Sequence, residues 1–283
     1  MRSTVPFDPR HSRAPELTFL GKLGYAVIDR YRRGLALLAT LGAAVLAVRT
    51  PGVAAGRVVR RVLLLQIFYT GFQAVTLIGT IGVLLGATIV IQTELMVPSA
   101  DAALIGKVLI AVVLRELAPL ITAIVVAGRS GTAIATELGN MKVSSEILAL
   151  TSLGIDPPRF IVMPRLVASI ASVFVLMVYF AAISLAGTAA MGLAIANIGL
   201  GSLQNGLSGA VTVYDLGLFL VKGIGLGTIL GWFACHYGLQ VQSSPTEVPR
   251  QASAAVVKTL LGCVVYDTAL TVLFYWFAGP PLH

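Results

Sequence analysis

The chain has 283 residues, of which 57% are hydrophobic and 11% charged, and its formal net charge is +8. Typical soluble domains contain about 25% charged residues, and apolar runs of about 20 residues recur along this sequence, so it predicts a membrane protein with several spans. Eleven of the 20 Lys and Arg precede Val62 and flank apolar segments. This placement indicates contact with anionic lipid headgroups and argues against a nucleic-acid-binding domain.

The first 61 residues are predicted to form a leader and a membrane-surface region. Residues 1–16 are polar with three prolines, which predicts a disordered leader, and no signal-peptide apolar region follows the first arginines. Within residues 17–61, Gly34–Val48 is apolar but only 15 residues long. A span needs roughly 20, and basic residues on both flanks disfavour crossing. We expect interfacial amphipathic helices at 17–61, with a short sixth span as the alternative.

Residues 62–283 are predicted to form an all-α membrane domain with five transmembrane helices. The predicted spans are Val62–Ile91, Leu104–Ala127, Leu166–Ile195, Leu216–Tyr237 and Val256–Phe277. Lys and Arg occur in every second connection, including the segment 129–165 between the second and third spans, and are absent from the connections between. Because basic loops stay in the cytoplasm, this alternation predicts a cytoplasmic N-terminus and a C-terminus on the far side.

The second predicted span contains the adjacent charges Arg115 and Glu116, followed by Pro119. Adjacent helical residues point about 100° apart, so these two side chains do not pair with each other and each needs a partner elsewhere. Pro119 removes a backbone hydrogen bond and predicts a kink. Two interpretations stay open: a polar patch that contacts a substrate, or polar contacts between helices. Asp267 in the fifth span is either a proton-relay carboxylate or a group hydrogen-bonded to a neighbouring helix.

A short cytoplasmic helix is predicted at Ser145–Leu153, between the second and third spans. Ser144 is a suitable N-cap, Glu146 stands in the first turn, and Gly154 is followed shortly by two prolines, all of which are helix boundary signals. A helix this short is marginal alone. It must pack on the membrane domain or on another protein, and the alternative is a solvated connecting loop.

Glycines at intervals of four residues predict close helix contacts. They are Gly82 and Gly86 in the first span, and Gly223, Gly227 and Gly231 in the fourth. Such spacing permits tight bundling within one chain or dimerisation.

The sequence contains no motif that predicts catalysis or metal binding. It has no GxxxxGK[ST], HExxH or GxSxG pattern, and its three histidines are scattered. We therefore expect no enzyme activity and no bound cofactor in this chain. Cys235 and Cys263 lie in apolar runs and are expected to be small core residues, with neither a disulfide nor a metal ligand role.

The segment from Leu114 to Arg165, LRELAPLITAIVVAGRSGTAIATELGNMKVSSEILALTSLGIDPPRFIVMPR, closely resembles the signature region of MlaE/YrbE-type permeases. These are membrane subunits of ABC transporters that move lipids between bacterial membranes, with plastid relatives. The resemblance implies a homodimeric permease for phospholipid or a related lipid in the bacterial inner membrane. It also implies two cytoplasmic ATPases that bind the ATP, a periplasmic MCE-domain partner and, in some systems, a STAS-domain protein.

The resemblance also implies roles for individual residues. Arg115 and Glu116 match the charged pair of the second span near the lipid cavity, and Gln92 matches a Gln at the outer end of the first span; all three are expected to bind the substrate. The short helix matches the coupling helix that docks on the ATPase, and the matching residues in the 129–165 loop are Glu137, Met141, Lys142, Glu146, Leu150, Gly154 and Asp156. From Ser243 this chain has SSPTEVPRQAS where the family usually has a glycine-rich TPxGVGRAT stretch, so only Arg250 carries over in that loop.

Two functions other than an ABC transporter subunit stay open for a chain with several spans. An ion- or proton-coupled secondary transporter would use Glu116 and Asp267, and it predicts an internal inverted repeat, which an odd number of spans disfavours. A non-transporting scaffold for partner proteins would leave the charged pair in the second span unexplained.

Overall fold

The structure of the chain is a computed structural model. It describes residues 71, 73–97, 102–154, 157–194, 201, 205–206, 211–242 and 244–278. The predicted leader at 1–16 and the predicted interfacial helices at 17–61 lie outside these described residues.

The described part of the chain is built from helices joined by turns. Helix α1 is Gln73–Met96. Helix α2 covers residues 102–143 in five consecutive segments, Ala102–Leu109, Ile110–Leu117, Ala118–Val126, Ala127–Gly131 and Thr132–Val143, of which the second and fourth are π-helical. Helices α3, α4, α5 and α6 are Glu146–Ser152, Met163–Ala194, Val213–Leu239 and Glu247–Ala278, and a π-helical turn, Pro158–Val162, leads into α4.

Five helices of the described residues, α1, α2, α4, α5 and α6, are long and apolar enough to cross a membrane. This confirms the predicted all-α class with five spans. The helices run alternately up and down, so one end of the bundle carries the ends of α2 and α5 and the starts of α4 and α6. The opposite end carries the ends of α1, α4 and α6 and the starts of α2 and α5.

Two segments predicted as loops are helical in the structure. Helix α2 continues through Ala127–Gly131 to Val143, within the predicted 129–165 loop, and α6 begins at Glu247, ahead of the predicted start at Val256. Hydropathy marks only the part of a helix that lies in lipid. The 40-residue helix Leu104–Val143 is about 60 Å long at 1.5 Å per residue, about twice the thickness of the hydrocarbon core. Its polar end therefore extends beyond the membrane.

Helix α4 lies at the centre of the bundle, with α1 on one side and α5 on another, and α5 also packs along α6. Phe180 and Met177 of α4 and Leu226 of α5 are completely buried in the main core. Large apolar side chains on α1 and α6, including Leu84 and Val265, remain exposed, as expected for faces that contact lipid.

Both glycine series face α4. A Cβ at Gly86 would overlap the backbone of Ser184, and a Cβ at Gly227 would overlap the backbone of Ile170. The hydroxyl of Thr188 donates to the Gly86 carbonyl at 3.1 Å, across the α1–α4 contact. The glycines at these positions thus permit close helix packing within the chain, which is the tight-bundling interpretation.

The helix ends beyond the apolar spans form a second, smaller core, here called the juxtamembrane layer. It comprises Thr132–Val143, α3, Pro158–Val162, the last turns of α5 and the first turns of α6. Ile134 and Leu138 of α2 are completely buried there against Ala234 of α5. In this layer the ends of four helices pack together, and α3 packs on the layer through Ile147 and Leu150.

Candidate functional site

Arg115 and Glu116 lie in the π-helical segment Ile110–Leu117, just before Pro119. In an α-helix the carbonyl of Arg115 would accept the N–H of residue 119, but proline has none. The ammonium group of Lys222 on α5 donates to that carbonyl oxygen instead, at 2.6 Å. The helix disturbance predicted at Pro119 therefore takes the form of a widened turn, closed by a side chain from another helix. π-helical turns occur often at functional sites.

Lys222 is the centre of a buried polar group, here called the Lys222 cluster, which comprises Glu116, Lys222, Asp267 and Thr271. The lysine side chain is 0% exposed, and its Nζ lies 2.9 Å from Oδ1 of Asp267 and 3.3 Å from Oε1 of Glu116. Nζ also donates to the Thr271 hydroxyl at 2.8 Å, and that hydroxyl donates to Oε1 of Glu116 at 2.8 Å. The cluster joins α2, α5 and α6 at one point inside the span region.

Arg115 contacts a different acid, Asp215, at the start of α5. Its Nε donates to Oδ1 of Asp215 at 2.7 Å, and the aspartate side chain is fully buried. Oδ2 of Asp215 accepts the Thr212 backbone N–H at 3.0 Å, and the Thr212 side chain accepts the backbone N–H of Asp215, which forms a capping box. The Arg115 guanidinium also lies 5.5 Å from the ring centroid of Phe274 on α6, a cation–π contact.

These contacts bear on the two interpretations of Arg115 and Glu116. Both side chains form ion pairs between helices, so that interpretation describes the geometry of this state. Glu116 is 35% exposed, whereas its partner Lys222 is fully buried. Glu116 is therefore the charged member of the cluster that a ligand can reach. Asp267 forms an ion pair with Lys222 of a neighbouring helix, with its Oδ1 2.9 Å from Nζ. It therefore contacts a neighbouring helix, as its structural interpretation expects, through an ion pair.

Asp215 and Lys222 are not among the site residues predicted from the sequence. The signal was present, because Lys222 is the one lysine inside the fourth predicted span, Leu216–Tyr237, and an ionised residue in a span needs a partner. The need of Arg115 and Glu116 for opposite charges pointed to the same two residues.

Gln92 lies apart from this group, on an open groove at the opposite end of the bundle from the juxtamembrane layer. The groove has a volume of about 240 Å³ between α1 and α2, with walls formed by Ile89, Gln92, Thr93, Met96, Val97, Leu104, Val108 and Val112. Among the described residues no hydrogen bond or ion pair joins Gln92 to Arg115 or Glu116. Val112 stands one helical turn before Glu116 on α2, so the groove and the Lys222 cluster are adjoining parts of one helix surface.

In the juxtamembrane layer, two of the predicted coupling residues make contacts between helices. Oε1 of Glu137 on α2 lies 2.7 Å from Nη2 of Arg165 on α4, with the arginine side chain 6% exposed and the glutamate side chain 54% exposed. Lys142, near the end of α2, donates to the carbonyl oxygen of Leu239 at the end of α5. These contacts hold the adjoining ends of α2, α4 and α5 together.

Helix α3 matches the predicted short helix to within one residue at each end, but its start differs from the prediction. Ser145, not Ser144, occupies the N-cap position, and no side chain caps the helix. Ser145 has φ = 60°, a left-handed conformation, which lets the chain turn sharply between α2 and α3. At the other end Gly154 has φ = 73°, which confirms the predicted left-handed terminating glycine.

One face of α3 packs on the layer and the other is free. Ile147 and Leu150 pack against the small core, together with Met141 of α2. Glu146 is exposed, and so are two large apolar side chains, Leu148 at 68% and Leu153 at 75%. Of the other predicted coupling residues, Asp156 lies outside the described residues. Met141 of α2 and Leu150 of α3 thus pack in the contact between α3 and the layer, whereas Glu146 lies on the free surface of α3.

No metal site is present in the described part of the chain, where no group of three or more His, Cys, Asp or Glu could hold an ion. Cys235 and Cys263 are free and buried in the two hydrophobic cores, which confirms their interpretation as core residues.

Comparison with known proteins decides the family. The family model described as Permease MlaE matches residues 63–273, which include the juxtamembrane layer and all of the five spans except the end of the last one. The chain belongs to the MlaE permease family. Its resemblance to these permeases, first indicated by Leu114–Arg165, therefore extends over most of the chain.

Three relatives place the MlaE permease family in a wider context. The chain is 27% identical to the intermembrane phospholipid transport system permease protein MlaE of Haemophilus influenzae over 263 residues, 92% of this chain and 98% of that protein. It is 30% identical to a probable ABC transporter permease protein of Synechocystis over 79% of this chain and 86% of that protein. It is 33% identical to protein TRIGALACTOSYLDIACYLGLYCEROL 1, chloroplastic, of Arabidopsis thaliana over 63% of this chain, which spans only 51% of that relative.

As an MlaE-family permease, the chain is a multi-pass membrane protein. The family favours the transport subunit over the secondary transporter and the scaffold. Membership of the family does not assign roles to individual residues. Those roles are inferred from the contacts described above.

Proposed function

We propose that this chain is the membrane subunit of an ABC transporter that moves phospholipid or a related lipid between bacterial membranes. The observation that carries the proposal is the relationship to the Haemophilus influenzae phospholipid transport permease over 98% of that protein's length. In this assignment the chain is not itself an enzyme and binds no cofactor, because ATP is bound and hydrolysed by a separate ATPase subunit.

The free face of α3 is the proposed ATPase contact. Leu148 and Leu153 are exposed apolar residues on a helix that lies outside the span region, and exposed apolar groups of this kind are common at protein contacts. The inner face of α3 packs on the juxtamembrane layer through Ile147 and Leu150. A movement of α3 would therefore move the layer with it, because the two are packed against each other.

Helix α2 provides the path from the ATPase contact to the lipid site. Its last segment supports α3, and the same continuous helix carries Arg115 and Glu116. The two π-helical segments, Ile110–Leu117 and Ala127–Gly131, are positions where a helix bends most readily. Movement of α3 would change the angle of α2 and thereby the separation of Glu116 from Lys222.

The proposed lipid site is the groove between α1 and α2 together with Glu116. Its walls are mostly apolar, with Gln92 and Thr93 as polar groups, which suits acyl chains with a polar group fixed at one point. Arg115 and Glu116 now pair within the protein. A headgroup must therefore displace Asp215 from Arg115 or Lys222 from Glu116 in order to bind them.

The proposed setting follows from the basic residues and from the family. We place the N-terminus and the juxtamembrane layer in the cytoplasm, the C-terminus in the periplasm and the protein in the bacterial inner membrane as a homodimer. Its proposed partners are two ATPase subunits on the cytoplasmic side, an MCE-domain protein on the periplasmic side and, in some systems, a STAS-domain protein.

The test of this function is Leu148→Asp, which places a charge on the free face of α3. We expect loss of ATPase co-purification and of lipid-stimulated ATP hydrolysis, while the permease itself remains folded, because Leu148 makes no buried contact. Ser253→Asp is the matched control, since Ser253 is exposed in the first turns of α6. Equal ATPase binding and hydrolysis in Leu148→Asp and the wild type would refute the assignment of α3.

A further inference from the structure

The charges of the five ionised groups in and beside the Lys222 cluster do not balance. Arg115 and Asp215 form a one-to-one pair with a 2.7 Å contact. Lys222, by contrast, faces two carboxyl groups, Glu116 at 3.3 Å and Asp267 at 2.9 Å. If all these groups carry their usual charges, the Lys222 cluster has one negative charge in excess. Lys222 and Asp267 are fully buried whereas Glu116 is 35% exposed, and an uncompensated charge within the span region is unfavourable.

The hydrogen-bond donors of the cluster are also too few. An ammonium group has three protons, but Nζ of Lys222 has four acceptors around it: the Arg115 carbonyl, Thr271, Glu116 and Asp267. Asp267 is the acceptor for which no proton of Lys222 is left. Its side chain is 1% exposed, and although Nζ of Lys222 lies 2.9 Å from its Oδ1, no hydrogen bond of normal geometry from the described residues reaches that oxygen. A buried acceptor without a donor requires an explanation.

One added proton corrects both deficits. A protonated carboxyl group is neutral, which removes the excess charge, and it gains an O–H donor. From charge balance and donor number we infer that Asp267 carries one proton beside Lys222. Asp267 is the more buried of the two acids, and Glu116 already accepts from Thr271 and Lys222.

The groups that face this proton site come from three helices. They are Arg115 and Glu116 on α2, Asp215 and Lys222 on α5, and Cys263, Tyr266 and Thr271 beside Asp267 on α6. Both oxygens of Asp215 already accept hydrogen bonds, one from Arg115 and one from the Thr212 backbone N–H. The hydroxyl of Tyr266 donates to the Val221 carbonyl at 3.0 Å.

Proton binding at this site depends on the position of Glu116. If Glu116 turns away from Lys222 towards a ligand, Lys222 and ionised Asp267 balance each other and the extra proton is released. The inference goes beyond the proposed function, since its ligand is a proton and its site would exist in the isolated permease whether or not an ATPase docks on α3.

The test is infrared difference spectroscopy of the purified permease in lipid nanodiscs, comparing the wild type with single variants at neutral pH. We expect the carbonyl band of a protonated carboxylic acid in the wild type, lost in Asp267→Asn and lost or shifted in Glu116→Gln. Asp215→Asn is the matched control and retains the band. Absence of the band from the wild type, or its survival unchanged in Asp267→Asn, overturns the inference.

Unfolding provides a second, independent measurement on the same variants. Asn is neutral and nearly the same shape as protonated Asp, so Asp267→Asn should unfold close to the wild-type temperature. Asp215→Asn should unfold several degrees lower, because it leaves Arg115 without a counter-charge. Equal losses in both variants would mean that Asp267 is ionised, and a dependence of wild-type stability on sodium would mean that a cation occupies the site instead. Either result refutes proton binding.

Discussion

Lys222→Met is the substitution that most directly tests how the transmembrane helices are held together. The lysine is fully buried and contacts Glu116, Asp267, Thr271 and the Arg115 carbonyl within 3.3 Å. Methionine fills a similar volume but donates no hydrogen bond. Removal of one partner from a buried ion pair costs about 3–5 kcal/mol, and an unpaired buried carbonyl costs about 1–3 kcal/mol. Better packing of an apolar side chain offsets part of this cost, so we expect a net loss of about 3–5 kcal/mol.

The assay is equilibrium unfolding of the purified permease in mixed micelles, followed by helical circular dichroism as denaturing detergent is added. Lys258→Met is the matched control, because Lys258 is exposed on α6. Its effect should stay within about 0.5 kcal/mol. The triple variant Lys222→Met, Glu116→Gln and Asp267→Asn should recover much of the loss, since it removes the charges that the single variant leaves unpaired.

A loss of less than about 1 kcal/mol in Lys222→Met would refute this reasoning, because even an ordinary hydrogen bond contributes about that much. A triple variant no more stable than Lys222→Met would refute it in another way. It would show that the hydrogen bond to the Arg115 carbonyl, and not the ion pairs, dominates.

Substitutions at Gly227 and at Ser145 test the packing and the turn that position the site. Gly227→Leu should prevent close contact of α4 and α5 and sharply lower the yield of folded protein in detergent. Gly217→Leu on the same helix is the control and should be tolerated, because a Cβ at Gly217 meets nothing within 4 Å. Equal yields of the two variants would contradict the packing role of Gly227. Because Ser145 has φ = 60°, Ser145→Gly should leave ATPase co-purification intact and raise stability by about 1 kcal/mol, and Ser145→Val should lower stability by a similar amount. Limited proteolysis between α2 and α3 measures the stability of the turn in both variants. Faster cleavage of Ser145→Gly than of the wild type would contradict the prediction.

Local sequence signals were sufficient wherever the environment of a segment is uniform. Five spans follow from apolar length, because a helix in lipid must satisfy its own backbone hydrogen bonds and cannot be interrupted. The same reasoning failed at Ala127–Gly131 and at the start of α6, because a helix does not end where it leaves the lipid. The end of α3 was predictable from Gly154, whose left-handed conformation is local, but its start was not, since Ser145 adopts φ = 60° only to fit the turn onto the juxtamembrane layer.

The candidate site shows the same division. The sequence by itself determined that Arg115 and Glu116 need partners, because charge in a span cannot remain unpaired. It could not say which partners, since Asp215 and Asp267 are 100 and 151 positions from Arg115 and Glu116 along the chain. Only the tertiary structure decided that Arg115 pairs with Asp215 while Lys222 lies between Glu116 and Asp267. The physical reason is that pairing in a bundle depends on which faces of α2, α5 and α6 meet, and close packing on α4 determines that.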